Sequence, residues 1–159
     1  MKNLGIALVL TTLFFVTMAF TCTRNDKNHH SFIRFVNNSD KSIYVYGSME
    51  YPDTLRGSEG GFSSPYKIYP NTENADALRL YEYYEDLLGE RGIPSDTLMV
   101  YVLDAELFED RDIHIYDAVI QRYDLSLQDL QHVNWRLAYP PSPNMSAIKM
   151  YPPYGSEGE

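Results

Sequence analysis

The hydrophobic pattern changes sharply at residue 22. Leu4 to Phe20 is an almost unbroken apolar run of 17 residues, and from Thr23 onward the chain breaks into short segments of alternating polarity. In that remainder Phe32 to Val36, the polar stretch Asn37 to Lys41, and Ser42 to Ser48 read as strand, turn and strand. Ile43, Val45 and Gly47 fall on one side, with Tyr44, Tyr46 and Ser48 on the other. Tyr51 to Ser64 is a loop punctuated by Pro52, Gly57, Gly60 and Gly61, and Tyr66 to Tyr69 is a short strand stopped by Pro70-Asn71. Thr97 to Leu103 (TLMVYVL) is apolar on both faces, which predicts a central strand covered on both sides. Ala118 to Tyr123 is a further strand. The alternation of Trp135, Leu137 and Tyr139 gives a last one before Pro140-Pro141, with Trp135 expected in the core.

Residues 74–91 satisfy two periods at once. Ala77, Leu80, Tyr81, Tyr84, Leu87 and Leu88 form a helical stripe, yet Leu78 and Leu80 against Arg79 and Tyr81 alternate as in a strand. Between these readings of 77–82 the strand is preferred, followed by a helix from Tyr83 to Glu90 that Gly92 and Pro94 end. Asp104 opens a helical turn through Phe108. Ser126, with Asp129 three residues on, has the spacing of a capping box ahead of a short helix. The expected fold is mainly β: a single β-sandwich-like domain with two or three short helices in its connections, after an N-terminal signal peptide.

The N-terminal run has the order of an export signal. Lys2 precedes the apolar stretch, and Cys22, the only cysteine, follows it. At 17 residues the run falls between a secretory apolar region of about 7–15 and a spanning helix of about 18 or more, and Thr11, Thr12 and Thr17 weaken it as a permanent span. A lone cysteine has no intramolecular disulfide partner, but placed here its thiol can accept a diacylglycerol. The stretch resembles a lipoprotein signal peptide, with Ala19 and Thr21 where the motif usually has Leu and a small residue. Cleavage after Ala19 or Thr21 without acylation, leaving a soluble periplasmic protein, is the alternative. The chain then divides into a signal peptide 1–21, a lipidated Cys22 and polar tether 22–31, a globular domain 32–141, and a Pro- and Gly-rich tail 142–159 that lies over the surface or frays.

Removing residues 1–21 leaves 138 of the 159 residues, enough for one domain, and takes away Lys2, moving the formal charge from −9 to −10. Such an acidic chain is repelled by phosphate backbones, which argues against nucleic acid as a partner. The 14 tyrosines all lie after residue 22 and point to exposed β surface or a contact face.

Three stretches, FVNNSDKSIYVYGSMEYPDT (35–54), SDTLMVYVLDAELF (95–108) and QRYDLSLQDLQHVNWRLAYPP (121–141), resemble small uncharacterised lipoproteins of Bacteroidota. The resemblance covers most of the chain after the signal and implies localisation and fold only. It carries no functional residue, and Leu88 stands where those proteins tend to have an aromatic. Asp53-Thr54-Leu55 and Asp96-Thr97-Leu98 are similar to the O-glycosylation acceptor pattern of that phylum. Thr54, in a loop, is the candidate site; Thr97 leads into a strand.

The sequence carries no catalytic, cofactor or metal motif. There is no G-x-S-x-G, no phosphate-cradling glycine loop and no complete calcium loop after Asp110-x-Asp112. His29 and His30 read as tether, His114 as an exposed strand position and His132 as a cation at a helix C-terminus. Glu82, Glu85, Asp86, Glu106, Glu109, Asp110 and Asp112 are the carboxylates from which a hydrolytic pair could be drawn, were two held about 5–10 Å apart. Tyr44, Tyr46, Tyr51, Tyr66 and Tyr69 are the candidate contact surface, suited to a glycan or an envelope protein.

Overall fold

The structure, a computed structural model, describes residues 28–52, 64–89 and 95–156. The signal stretch, Cys22 and Thr54 lie outside them. The chain forms β1 (Phe32–Asn37), β2 (Ile43–Ser48), β3 (Tyr66–Ile68), β4 (Thr72–Arg79), α1 (Tyr84–Leu87), β5 (Leu98–Asp104), α2 (Ala105–Glu109), β6 (Val119–Leu125), α3 (Leu127–His132), β7 (Arg136–Tyr139) and β8 (Lys149–Tyr151). Single 3-10 turns occupy Ile115–Ala118 and Pro143–Met145. Two sheets result, one of three strands in the order β4-β1-β7 and one of five in the order β3-β2-β5-β6-β8. The fold is thus mainly β and sandwich-like, as the strand pattern implies.

The core lies between the sheets. Ile33 and Phe35 of β1, Leu78 of β4 and Leu137 of β7 meet Ile43 and Val45 of β2, Leu98, Val100 and Val102 of β5 and Tyr123 of β6. Strands β2, β5 and β6 give every second residue to this core, as the two-residue period of a pleated strand requires, while β1, β4 and β7 also bury a neighbouring residue each, Val36, Ala77 and Ala138. Two buried polar groups tie the layers together. The Tyr123 hydroxyl donates to the Ala138 carbonyl at 2.8 Å, and the Asn37 amide donates to the carbonyls of Lys41, Ile68 and Tyr69. β5 is buried along its apolar length because its other residues, Met99, Tyr101 and Leu103, enter a second cluster on the far side of its sheet.

Five boundaries differ from the sequence reading. Strand β4 begins at Thr72 rather than 77, since pairing with β1 (Asn37 against Thr72, Val36 against Glu73) recruits polar residues that have no alternation of their own. Helix α1 is one turn, Tyr84–Leu87, not eight residues. The segment around His114 is the cap of a 3-10 turn rather than a strand.

The fourth correction is the largest. Residues 142–159 are not a surface tail throughout, because Met145, Ile148 and Met150 are buried and β8 pairs antiparallel with β6. Burial of three large apolar side chains outweighs the local Pro and Gly signal. The tether is also shorter than 22–31. Ser31 is fully buried, and the His30 and Ser31 carbonyls accept from Tyr84 N and Leu80 N.

The capping box forms as expected: Ser126 accepts from Asp129 N, and Asp129 accepts from Ser126 N. The other end of α3 closes in a Schellman arrangement, Trp135 N donating to Leu130 O and Asn134 N to Gln131 O. Asn134 and Trp135 both have positive φ, 52° and 59°. For a residue as bulky as tryptophan this is a costly conformation. It turns the Trp135 ring onto His30, with centroids 4.1 Å apart and planes within 8°.

Candidate functional site

The strand register stacks polar and aromatic residues on the outer face of the five-stranded sheet. Tyr46 of β2 lies opposite Tyr101 of β5, Tyr101 opposite Arg122 of β6, and Arg122 opposite Tyr151 of β8. In the adjoining row Ser48, Met99, Asp124 and Lys149 follow the same order. Directly opposed residues share a face, so each row is a line of neighbouring side chains across four strands.

Asp124 sits under this surface. Its side chain is 2 % exposed, yet its carboxylate is shared by two cations, with Arg122 Nε 2.9 Å from Oδ1 and Lys149 Nζ 3.2 Å from Oδ2. Arg122 also donates from its terminal nitrogen to Oδ2 at 3.1 Å. The cations rest on aromatic rings: Arg122 Cζ is 4.4 Å from the Tyr151 centroid, and Lys149 Nζ is 5.2 Å from that of Tyr51. Lys149 donates to the Tyr51 hydroxyl at 3.1 Å, and this bond, reinforced by Asp124, holds the ammonium well above the usual lysine range. Burial pushes the Tyr101 phenol up to about 12. Beside Lys149 and Tyr151 an open cleft of about 420 Å³ continues along the chain to Pro153 and Tyr154.

Of the five tyrosines expected to form one surface, three come together on this face. Tyr46 packs 6.4 Å from Tyr101, Tyr51 holds Lys149, and Tyr44 packs at a tilt 4.6 Å from Phe108 while its hydroxyl donates to Glu109 at 2.9 Å. Tyr69 lies at the margin, 63 % exposed, with Lys67 Nζ 5.9 Å from its ring. Tyr66 does not join them: it pairs with Val45, whose side chain faces the core, and is exposed at the sheet edge. The sequence reading missed Tyr101, Arg122, Asp124, Lys149, Tyr151 and Tyr154. The alternation Arg122-Tyr123-Asp124-Leu125 is the available signal, and Lys149-Met150-Tyr151 carries the same period behind a screen of prolines.

Two of the candidate carboxylates, Glu85 and Glu109, are engaged with other partners. Glu85 grips a single residue, one oxygen accepting from His30 N at 2.8 Å and the other bonding His30 Nδ1. Glu109 accepts from Lys67 at 2.6 Å and from Tyr44; these two bonds, Lys67 first, lower its pKa. Among the described residues no group of three or more His, Cys, Asp or Glu is placed to hold a metal ion, and no helix is long and apolar enough to cross a membrane. Comparison of the chain with protein-family models, with curated proteins and with solved structures returned no match in any of the three.

Proposed function

We propose that this protein is a cell-envelope lipoprotein, exported by residues 1–21 and anchored through Cys22, whose sandwich is a non-enzymatic binding or scaffolding module. The observation that supports a binding role is the tyrosine and cation face of β6 and β8, where a buried carboxylate fixes two cations against aromatic rings beside an open cleft. Tyrosine offers apolar area and a hydroxyl at little entropic cost, which suits contact with a glycan or another envelope protein. Resemblance to Bacteroidota lipoproteins supports the compartment and is silent on the ligand. Hydrolysis by a carboxylate pair has less support. Glu85 is committed to His30, and the lowered pKa of Glu109 is the wrong direction for a general acid.

Two measurements test the proposal. Cys22→Ser should move the protein from the membrane to the soluble fraction, and an unchanged partition would remove the anchor. A photo-cross-linking residue at Tyr154 in intact cells should form an adduct that the same residue at Tyr81, also exposed but beyond the end of β4, does not form. Equal labelling from both positions, or none, would sink the binding face.

A further inference from the structure

The ionic groups of the β6–β8 face differ in how far they reach water. The carboxylate of Asp124 is 2 % exposed, whereas the side chain of Arg122 is 20 % and that of Lys149 52 % exposed. Two cations share one carboxylate, so the cluster carries one net positive charge, and the exposed part of it is the cationic part. The chain as a whole has formal charge −9, so this outward-facing positive charge is opposite in sign to the molecule that carries it. The cleft next to Lys149 is flanked by the exposed rings of Tyr151 and Tyr154, with Pro153 between them in sequence.

We infer that this face binds an acidic polysaccharide, with Lys149 meeting the ligand's carboxylate or sulfate and Tyr151 and Tyr154 receiving the flat C–H faces of adjoining sugar rings. The inference rests on the binding role proposed above and names its ligand class. Charge complementarity selects an anion, and the open, aromatic-walled shape selects a sugar over a protein. A protein partner gains most of its affinity from an anchor side chain seated in a closed, desolvated pocket, whereas a pyranose chain lies along an open surface. Lys149 is held ready for this role: Tyr51 and Asp124 fix its ammonium in place, so little side-chain freedom remains to be lost on binding.

The test is retention of the detergent-solubilised, full-length protein on immobilised polygalacturonate, dextran sulfate and uncharged dextran, at low and high salt. Retention on one or both anionic polymers, weakened by salt and not seen on dextran, is the expected result. The two anionic polymers separate carboxylate from sulfate as the group recognised. Lys149→Gln and Tyr154→Ala, both at exposed positions, should each weaken retention by about tenfold, the scale of one charge-assisted bond or one stacked ring. Tyr81→Ala should leave it unchanged. Equal retention on dextran, or indifference to Lys149→Gln, overturns the acidic class. Absence of retention on all three polymers also overturns it. In that case an adduct at Tyr154 in cells would still uphold the binding face, and no adduct would remove both.

Discussion

The two outer faces of the sandwich use the same chemistry at different depths. On the three-stranded sheet Arg34 and Arg136 both reach Glu73, at 3.3 and 3.0 Å, and Arg79 covers Phe32 at 4.7 Å. On the five-stranded sheet Arg122 and Lys149 both reach Asp124, and Arg122 covers Tyr151. Each face therefore has two cations on one carboxylate and an arginine on a ring. Depth separates them: Glu73 is 35 % exposed and Asp124 only 2 %. Water already solvates the first cluster, so its ion pairs add little. In the second, the carboxylate has lost its water and depends on its partners. The first face reads as an ordinary solvated surface, and the second as a fixed arrangement.

That contrast can be broken by removing one partner at a time. Arg122→Met leaves the Asp124 carboxylate buried with Lys149 alone and should cost about 3 kcal/mol in chemical denaturation. Adding Asp124→Leu to that variant should recover most of the loss, because an apolar pair replaces a buried carboxylate left with a single, half-exposed cation. A double variant no better than the single would mean that the outer cluster packs around the carboxylate in a way an alkyl group does not reproduce.

Alkaline titration tests the same face by its exclusion of water. Tyrosine in an unfolded chain ionises near pH 10, while burial holds Tyr101 in the folded chain up to about 12. Above pH 10 the unfolded state releases its proton first, so this contribution to stability is complete below pH 10 and is lost as pH rises toward 12. Tyr101→Phe should make the stability curve flatter over that window, and an unaltered curve would show that the phenol is not shielded. The smallest effect belongs to the other face: Arg136→Gln should change stability by less than about 1 kcal/mol, with a salt dependence that Arg122→Met lacks. A loss as large as that of Arg122→Met would erase the distinction between the faces.

What could be read from the sequence follows the range of the interactions. Strand β5, the inward side of β2 and the Ser126–Asp129 box are local patterns, and each was legible. The first half of β4 was not, since Thr72, Glu73 and Asn74 become a strand only because β1 offers them a ladder. Strand β8 was hidden for the same reason, with β6 as its template. His30 looked like tether because nothing within 50 residues marks Glu85 or Trp135 as its partners. The candidate face combines both cases: Tyr44, Tyr46 and Tyr51 were visible as a cluster, while Arg122 and Asp124 acquired meaning only when β8 brought Lys149 and Tyr151 beside them.

The place of β1 has a mechanical consequence. It is the first strand after the N-terminal segment and also the middle strand of its sheet, bonded to β4 on one side and running parallel to β7 on the other. A pull applied at the N-terminus runs along β1, so it loads both rows of interstrand bonds in shear instead of peeling them off one by one. Before that load reaches the ladders it meets Glu85, which holds both the backbone and the ring of His30. A drag on the leading end is thereby shared across the whole three-stranded layer.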